Sequence, residues 1–189
     1  MIRTGIGYDV HRFAPGRRLV LGGVTIKSAA GLLGHSDADV LCHAVIDALL
    51  GAAAEGDIGE HFPDKDKRWK NADSVKMLKI AGGKLQRRKI SIVNVDATIL
   101  AQKPRIAPYR ARMRVNIARA LGIQLERVSV KATTLEGLGA LGRGEGIAAM
   151  AVATVEERCQ KSRGSSTFNT SNRHKKQENI LRVLKNPKF

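Results

Sequence analysis

Residues 40–53, VLCHAVIDALLGAA, constrain the fold more than any other segment. Val40, Leu41, Ala44, Val45, Ala48, Leu49, Ala52 and Ala53 recur three and four apart, the spacing of one helix face. Four of those eight are alanine, which suits small-residue helix packing in an α/β or α+β domain. Aromatic residues make up only 4% of the chain, so the apolar content is aliphatic and alanine-rich. Ser36 is read as the N-cap of this helix, with Asp39 three residues on completing a variant capping box. Gly56 is read as its stop signal.

The flanking segments alternate between strand and helix patterns. Residues 2–10 alternate weakly, and 17–26 read as a second strand with Gly22-Gly23 as a turn or bulge. Asp73 or Ser74 caps a helix to about residue 88, with Val75, Leu78, Ala81 and Leu85 on one side. KISIVNVDATILAQ (89–102) has period two, and the register Val93, Val95, Ala97, Ile99 is the one expected to face a core. Pro104 and Pro108 break the chain before a helix over roughly 109–121 that Gly122 ends. Residues 127–134 and 147–157 read as strands joined by a glycine-rich loop, and 61–74 as a surface loop. The order predicts an α+β or mixed-sheet domain over 1–157.

Composition narrows the function classes. No run of about 18 apolar residues occurs, so no membrane span is expected. The first residues enter a strand pattern without the layout of a secretory signal, and no C-x-x-C pair accompanies Cys42 and Cys159, as in a reduced, cytoplasmic protein. The net charge is +16, and half of it falls after residue 157, where nine Lys/Arg accompany one acid. Residues 158–189 therefore read as a basic, mostly disordered tail with room for a short helix near 178–185. The basic excess suits an anionic substrate. A nucleic-acid module is the competing reading, but no aromatic stacking pattern or recognition motif supports it.

The chemistry concentrates in a few polar positions. Asp9 and His11 are two apart on a strand and so point to the same side. His43, on the helix, could add a second imidazole. One carboxylate and two imidazoles with an open fourth position make a catalytic-type zinc shell. Asp47, one turn on, is the expected outer acceptor that fixes the tautomer of His43. His35-Ser36 precede the helix and can face an anion. Thr133, Thr134 and Glu136 end a strand, where hydroxyls can hold phosphate and a carboxylate a hard dication. Arg143, in the glycine-rich loop, can grip phosphate with a planar fork. A zinc phosphoesterase fits the same residues.

GYDVHRF (7–13), GLLGHSDADVLCHAVIDALLGAAAEGDIGEHFPD (31–64), NVDATILAQKPRIAPY (94–109) and VSVKATTLEGLGALGRGEGIAA (128–149) resemble the 2-C-methyl-D-erythritol 2,4-cyclodiphosphate synthase family. The likeness runs through residues 1–157 in order. It implies a mixed sheet with helices packed on one side, in a homotrimer around a threefold axis with active sites between subunits. The implied reaction belongs to the non-mevalonate route to isoprenoids. In it the 2-phosphate of 4-diphosphocytidyl-2-C-methyl-D-erythritol 2-phosphate attacks the diphosphate intramolecularly and CMP leaves. The resemblance makes Asp9, His11 and His43 zinc ligands, and Glu136 the ligand of a magnesium or manganese ion on the diphosphate. His35 and Thr134 match transition-state stabilisers. Asp57, Ile58, Gly59, Phe62, Pro63, Asp64, Lys65 and Asp66 match the methylerythritol side of the substrate site, and Val10 and Ser36 match substrate-binding positions. Ala101, Gln102, Lys103, Pro104, Arg105, Ile106, Ala107, Lys131, Thr133 and Leu135 match the cytidine and phosphate side. Ala140 and Leu135 depart from the family's usual aromatic and polar residues. Arg143 could face substrate or an isoprenoid diphosphate in an axial cavity.

Overall fold

Strand β1 (Ile2–Ala14) sends one row of side chains into the protein and the other outward, and the rest of the fold is assembled on that division. The computed structural model of the chain describes residues 1–157. After β1 come β2 (Leu19–Leu21), β3 (Val24–Ile26) and β4 (Gly31–Leu32), then α1 (Val40–Ala53), α2 (Ile58–His61) and α3 (Ser74–Arg87). The second half runs β5 (Ile90–Leu100), α4 (Arg110–Leu121), β6 (Val128–Thr133), α5 (Gly139–Gly142) and β7 (Gly146–Glu157). The tail and its expected short helix lie outside the described residues.

Five strands form one mixed sheet in the order β4-β1-β7-β5-β6, and β2 and β3 form a separate hairpin. Only β5 and β6 are parallel, because α4 carries the chain back between them. The hairpin turns on Gly22 and Gly23, at φ 55° and 68°, with Leu21 opposite Val24. Positive φ at both central residues is the requirement of a two-residue type I′ turn, which glycine meets without strain.

Helix α1 lies across β1, β7 and β5, α3 packs on α1 and α4, and α4 packs on β6. The contact between α1 and β1 is a backbone contact. A Cβ on Gly5 would stand 2.2 Å from the Ala48 carbonyl oxygen, and one on Gly7 would stand 2.0 Å from that of Ala44. Any side chain at either position would drive the helix off the sheet. The opposite face of the sheet carries Ile6, Tyr8, Val10, Met150 and Val152, all exposed in the single chain. The expected α+β domain with a mixed sheet and helices on one face is the one observed.

Three local expectations are corrected. Helix α1 starts at Val40, not after Ser36, because Ala38 takes φ 56° and interrupts the turn. Asp39 is the N-cap, and its carboxylate accepts from the Cys42 N–H. The helix stops at Ala54, itself left-handed at φ 54°, two residues before Gly56. In β5 the register shifts between Ile92 and Asn94, a β-bulge. Ile90 and Ile92 therefore face the core together with Val95, Ala97 and Ile99, while Val93 turns outward. A strict period of two cannot describe a strand that changes phase.

Candidate active site

Gly5, Gly7, Asp9 and His11 occupy one row of β1, the row that faces α1. The two glycines let the helix backbone settle against the strand, and the next two residues on that row meet a side chain from the helix. His43 Nδ1 lies 2.9 Å from Asp9 Oδ2 and 3.2 Å from His11 Nε2, and His11 Nε2 lies 3.0 Å from the same carboxylate oxygen. Those distances close a nearly equilateral triangle. In a tetrahedral shell with bonds of about 2.0 Å, ligand atoms stand roughly 3.3 Å apart. Three ligand atoms from two distant segments thus fit around one dication, with the fourth direction left to a ligand from outside. The remaining Asp9 oxygen accepts from the Val10 N–H at 2.8 Å.

Electrostatics set the proton state of this cluster. Burial works to raise the pKa of Asp9, but hydrogen bonds and charge from His11 and His43 outweigh it and hold the carboxyl well below its ordinary range. Burial works to lower the pKa of His43, yet the hydrogen bond and charge of Asp9 prevail and raise it.

The triangle opens into a cavity of about 300 Å³ whose lining includes Gly34, His35, Ser36, Ile58, Gly59, Phe62 and Asp64. Among the described residues His35 Nε2 is buried there with no hydrogen-bond partner, which suits a donor awaiting a ligand. Asp57 caps α2 through the Glu60 N–H at 3.0 Å, and Asp66 caps the turn over 67–69. Phe62 is buried edge-to-face against Trp69, with ring centroids 4.9 Å apart. Pro63 and Lys65 are exposed beside them.

Asp47 does not have its expected role. Its carboxylate accepts from the Ile58 N–H at 2.8 Å and so anchors α2 to α1. The outer partners of His43 are serines: Nε2 lies 2.9 Å from Ser74 Oγ and 3.1 Å from Ser36 Oγ. Ser74 is the first residue of α3 and fully buried, and nothing in its sequence context marks it as a partner of His43. Gly5 and Gly7 were legible in principle, since GIGYDVH carries them in register with Asp9 and His11.

The second set of expected residues gathers elsewhere. Strands β5 and β6 end side by side, with Leu100 opposite Thr133, and the Ala101 N–H donates to the Thr133 carbonyl at 3.0 Å. That places Ala101–Ala107 next to Lys131–Glu136. Ile106 is buried, and the Lys103-Pro104 bond is cis. The Thr134 hydroxyl donates to Glu136, whose backbone sits at φ 51°. Lys131 pairs with Asp96 at 2.5 Å, and Arg143 with Glu145 at 2.6 Å. None of these residues lines the cavity around the triangle. Within one chain the two sets are separate places.

A sheet whose strand and covering helix converge two imidazoles and a carboxylate on one open point gives this α+β domain the candidate metal site of an enzyme. The chain belongs to the YgbB family, whose model matches residues 2–156. It is 60% identical over 156 residues to a 2-C-methyl-D-erythritol 2,4-cyclodiphosphate synthase of Syntrophomonas wolfei, covering 82% of this chain and 99% of that one. Among solved structures, it resembles the bifunctional IspDF of Campylobacter jejuni at 44% identity and a TM-score of 0.80, covering 84% of this chain and 43% of that one. The IspF–CDP complex of Plasmodium falciparum matches at 34% identity and a TM-score of 0.73, covering 84% of this chain and 97% of that one.

Proposed function

We propose that this chain is a 2-C-methyl-D-erythritol 2,4-cyclodiphosphate synthase, which closes the cyclic diphosphate of non-mevalonate isoprenoid biosynthesis. The substrate is 4-diphosphocytidyl-2-C-methyl-D-erythritol 2-phosphate, and CMP is the leaving product. The observation that carries the reading is the Asp9–His11–His43 triangle facing a cavity, in a chain that belongs to this family.

The donor set of two imidazoles and one carboxylate, at tetrahedral spacing, suits zinc. Zinc held by Asp9, His11 and His43 would supply Lewis-acid neutralisation of a phosphoryl oxygen. The protein does the remaining work by positioning, because nucleophile and electrophile already belong to one molecule. His35, with its buried free Nε2, donates to a phosphate oxygen. Asp57, Ile58, Gly59 and the Phe62–Asp66 segment orient the methylerythritol portion, held in place by the Asp47–Ile58 bond. Phe62 and Trp69 wall off solvent. Ala101–Ala107 and Lys131–Glu136 take the cytidine and diphosphate, with Thr134 on phosphate, and Glu136 is the residue that would hold a magnesium or manganese ion.

Separation of the two residue sets within one chain supports a homotrimer in which a neighbour completes each site. The exposed apolar sheet face, with Ile6, Tyr8, Val10, Met150 and Val152, supports the same assembly. An isoprenoid diphosphate on its axis, near Arg143, belongs to this reading. Residues 1–157 form the synthase domain, and 158–189 are a dispensable basic extension. Among the described residues no helix is long and apolar enough to cross a membrane.

The test is to supply the cytidylated substrate with zinc and magnesium and follow products by phosphorus NMR and mass spectrometry. CMP with the cyclic diphosphate is expected. Linear hydrolysis products would instead make the chain a zinc phosphoesterase.

A further inference from the structure

Metal binding at His43 requires its Nδ1 to be unprotonated, and in a neutral imidazole the proton must then sit on Nε2. What lies beyond Nε2 therefore matters. Ser74 Oγ is there at 2.9 Å, fully buried at the start of α3. Asp37 lies beyond Ser74: one carboxylate oxygen takes the Ser74 hydroxyl, and the other takes the Ser74 backbone N–H at 3.2 Å.

Proton counting orients the whole cluster. An ionised carboxylate only accepts, so the single Ser74 hydroxyl proton points at Asp37. Ser74 Oγ then has only lone pairs to offer His43, so Nε2 must donate. Ser36 fits the same direction. Its Oγ accepts from the Ala38 N–H at 3.1 Å and lies 3.3 Å from Ser74 Oγ, to which it donates. Every proton in the network runs toward Asp37. The segment is held independently, since the Asp37 N–H donates to the Ala72 carbonyl at 3.0 Å.

We propose that Asp37 is a positioning residue for the metal centre, acting through Ser74 to hold His43 as the Nε2–H tautomer with Nδ1 free for metal. A carboxylate that orients a metal-binding imidazole is a general device; here a buried serine is interposed. The proposal rests on the metal reading of the triangle. It also explains why the site can do without Asp47 as the orienting acceptor.

Asp37→Asn is the test. It keeps the shape, but its amide can donate to Ser74 Oγ. That frees the Ser74 proton for His43 Nε2 and favours the wrong tautomer. Zinc affinity, measured by chelator competition without substrate, should fall about 10–100-fold. Long-range proton–nitrogen NMR of the zinc-loaded protein should show the His43 Nε2–H bonded and slow to exchange in the natural chain, and shifted and faster to exchange in the variant, where the Ser74 proton competes for Nε2. Ser74→Ala, which keeps only Ser36 as acceptor, should also weaken zinc and serves if Asp37→Asn does not fold. Unchanged zinc affinity in both variants overturns the relay. So does weakened affinity with an unchanged His43 Nε2–H signal, which would make Asp37 merely structural. A natural chain that takes up no zinc overturns the metal reading beneath it.

Discussion

Gly7 offers the sharpest perturbation of the link between fold and site. A methyl added there stands 2.0 Å from the Ala44 carbonyl oxygen and 2.7 Å from the Ala48 nitrogen, both backbone atoms of α1. A carbon and a carbonyl oxygen need roughly 3.2–3.4 Å. Helix and strand must therefore part by more than 1 Å, since a rotamer change cannot move backbone. His43 adjoins Ala44 and moves with it. Metal sites tolerate errors of only about 0.2 Å in ligand distance, while the triangle edges are 2.9 to 3.2 Å. Gly7→Ala should thus cost about 1–3 kcal/mol of stability from overpacking and lose most zinc binding, even where circular dichroism still shows a folded chain. Gly51→Ala is the control within the same helix, because its methyl meets only the Ile6 carbonyl oxygen at 3.9 Å. It should keep zinc and gain about 0.5–1 kcal/mol from helix propensity. The assays are zinc content by elemental analysis, affinity by chelator competition and stability by urea titration. A folded Gly7→Ala protein that binds zinc as tightly as the natural chain would refute the argument that these glycines set the ligand geometry.

His43→Ala removes one vertex of the triangle and should abolish both tightly bound zinc and nearly all turnover, read by elemental analysis and CMP release. Asp39→Ala strips the buried acceptor of the Gly22, Gly23 and Cys42 N–H groups, bonded at 2.9, 2.7 and 3.1 Å. It should cost on the order of 3 kcal/mol in urea unfolding. The zinc-free protein should show opposed pH effects. Asp9, with its pKa lowered, contributes stability above the ordinary value of 3.8 that is lost as pH falls through the native value. His43, with its pKa raised, contributes below 6.5 and fades as pH rises through its native value. Because zinc must displace the His43 proton, affinity should climb with pH across neutrality, and isothermal titration at several pH values measures it. Truncation after Glu157 should leave turnover unchanged, since the family match ends at residue 156.

The elements and the ligands were legible in the sequence for a simple reason. Helical spacing in VLCHAVIDALLGAA, period two around Asp9 and His11, and the stop at Gly122 are local signals, and local geometry obeys them. His43 was offered from its place on the helix, and resemblance then made it a zinc ligand and supplied the chemistry. The errors arose where a neighbour outweighed the local pattern. Val93 turned outward because a bulge changed the phase of β5, and Ser36 lost the cap because Ala38 broke the turn. Asp47 turned to α2.

The sequence by itself determined which side chains could share a face: Gly5, Gly7, Asp9 and His11 on one strand row, and the apolar positions of one helix. Only the tertiary structure decided that His43 closes the triangle and that Ser74 and Asp37 stand behind it. The physical reason is that intervals of two and four are set by one backbone, whereas distances across 31 to 37 residues are set by how closely α1 and α3 pack against the sheet and each other.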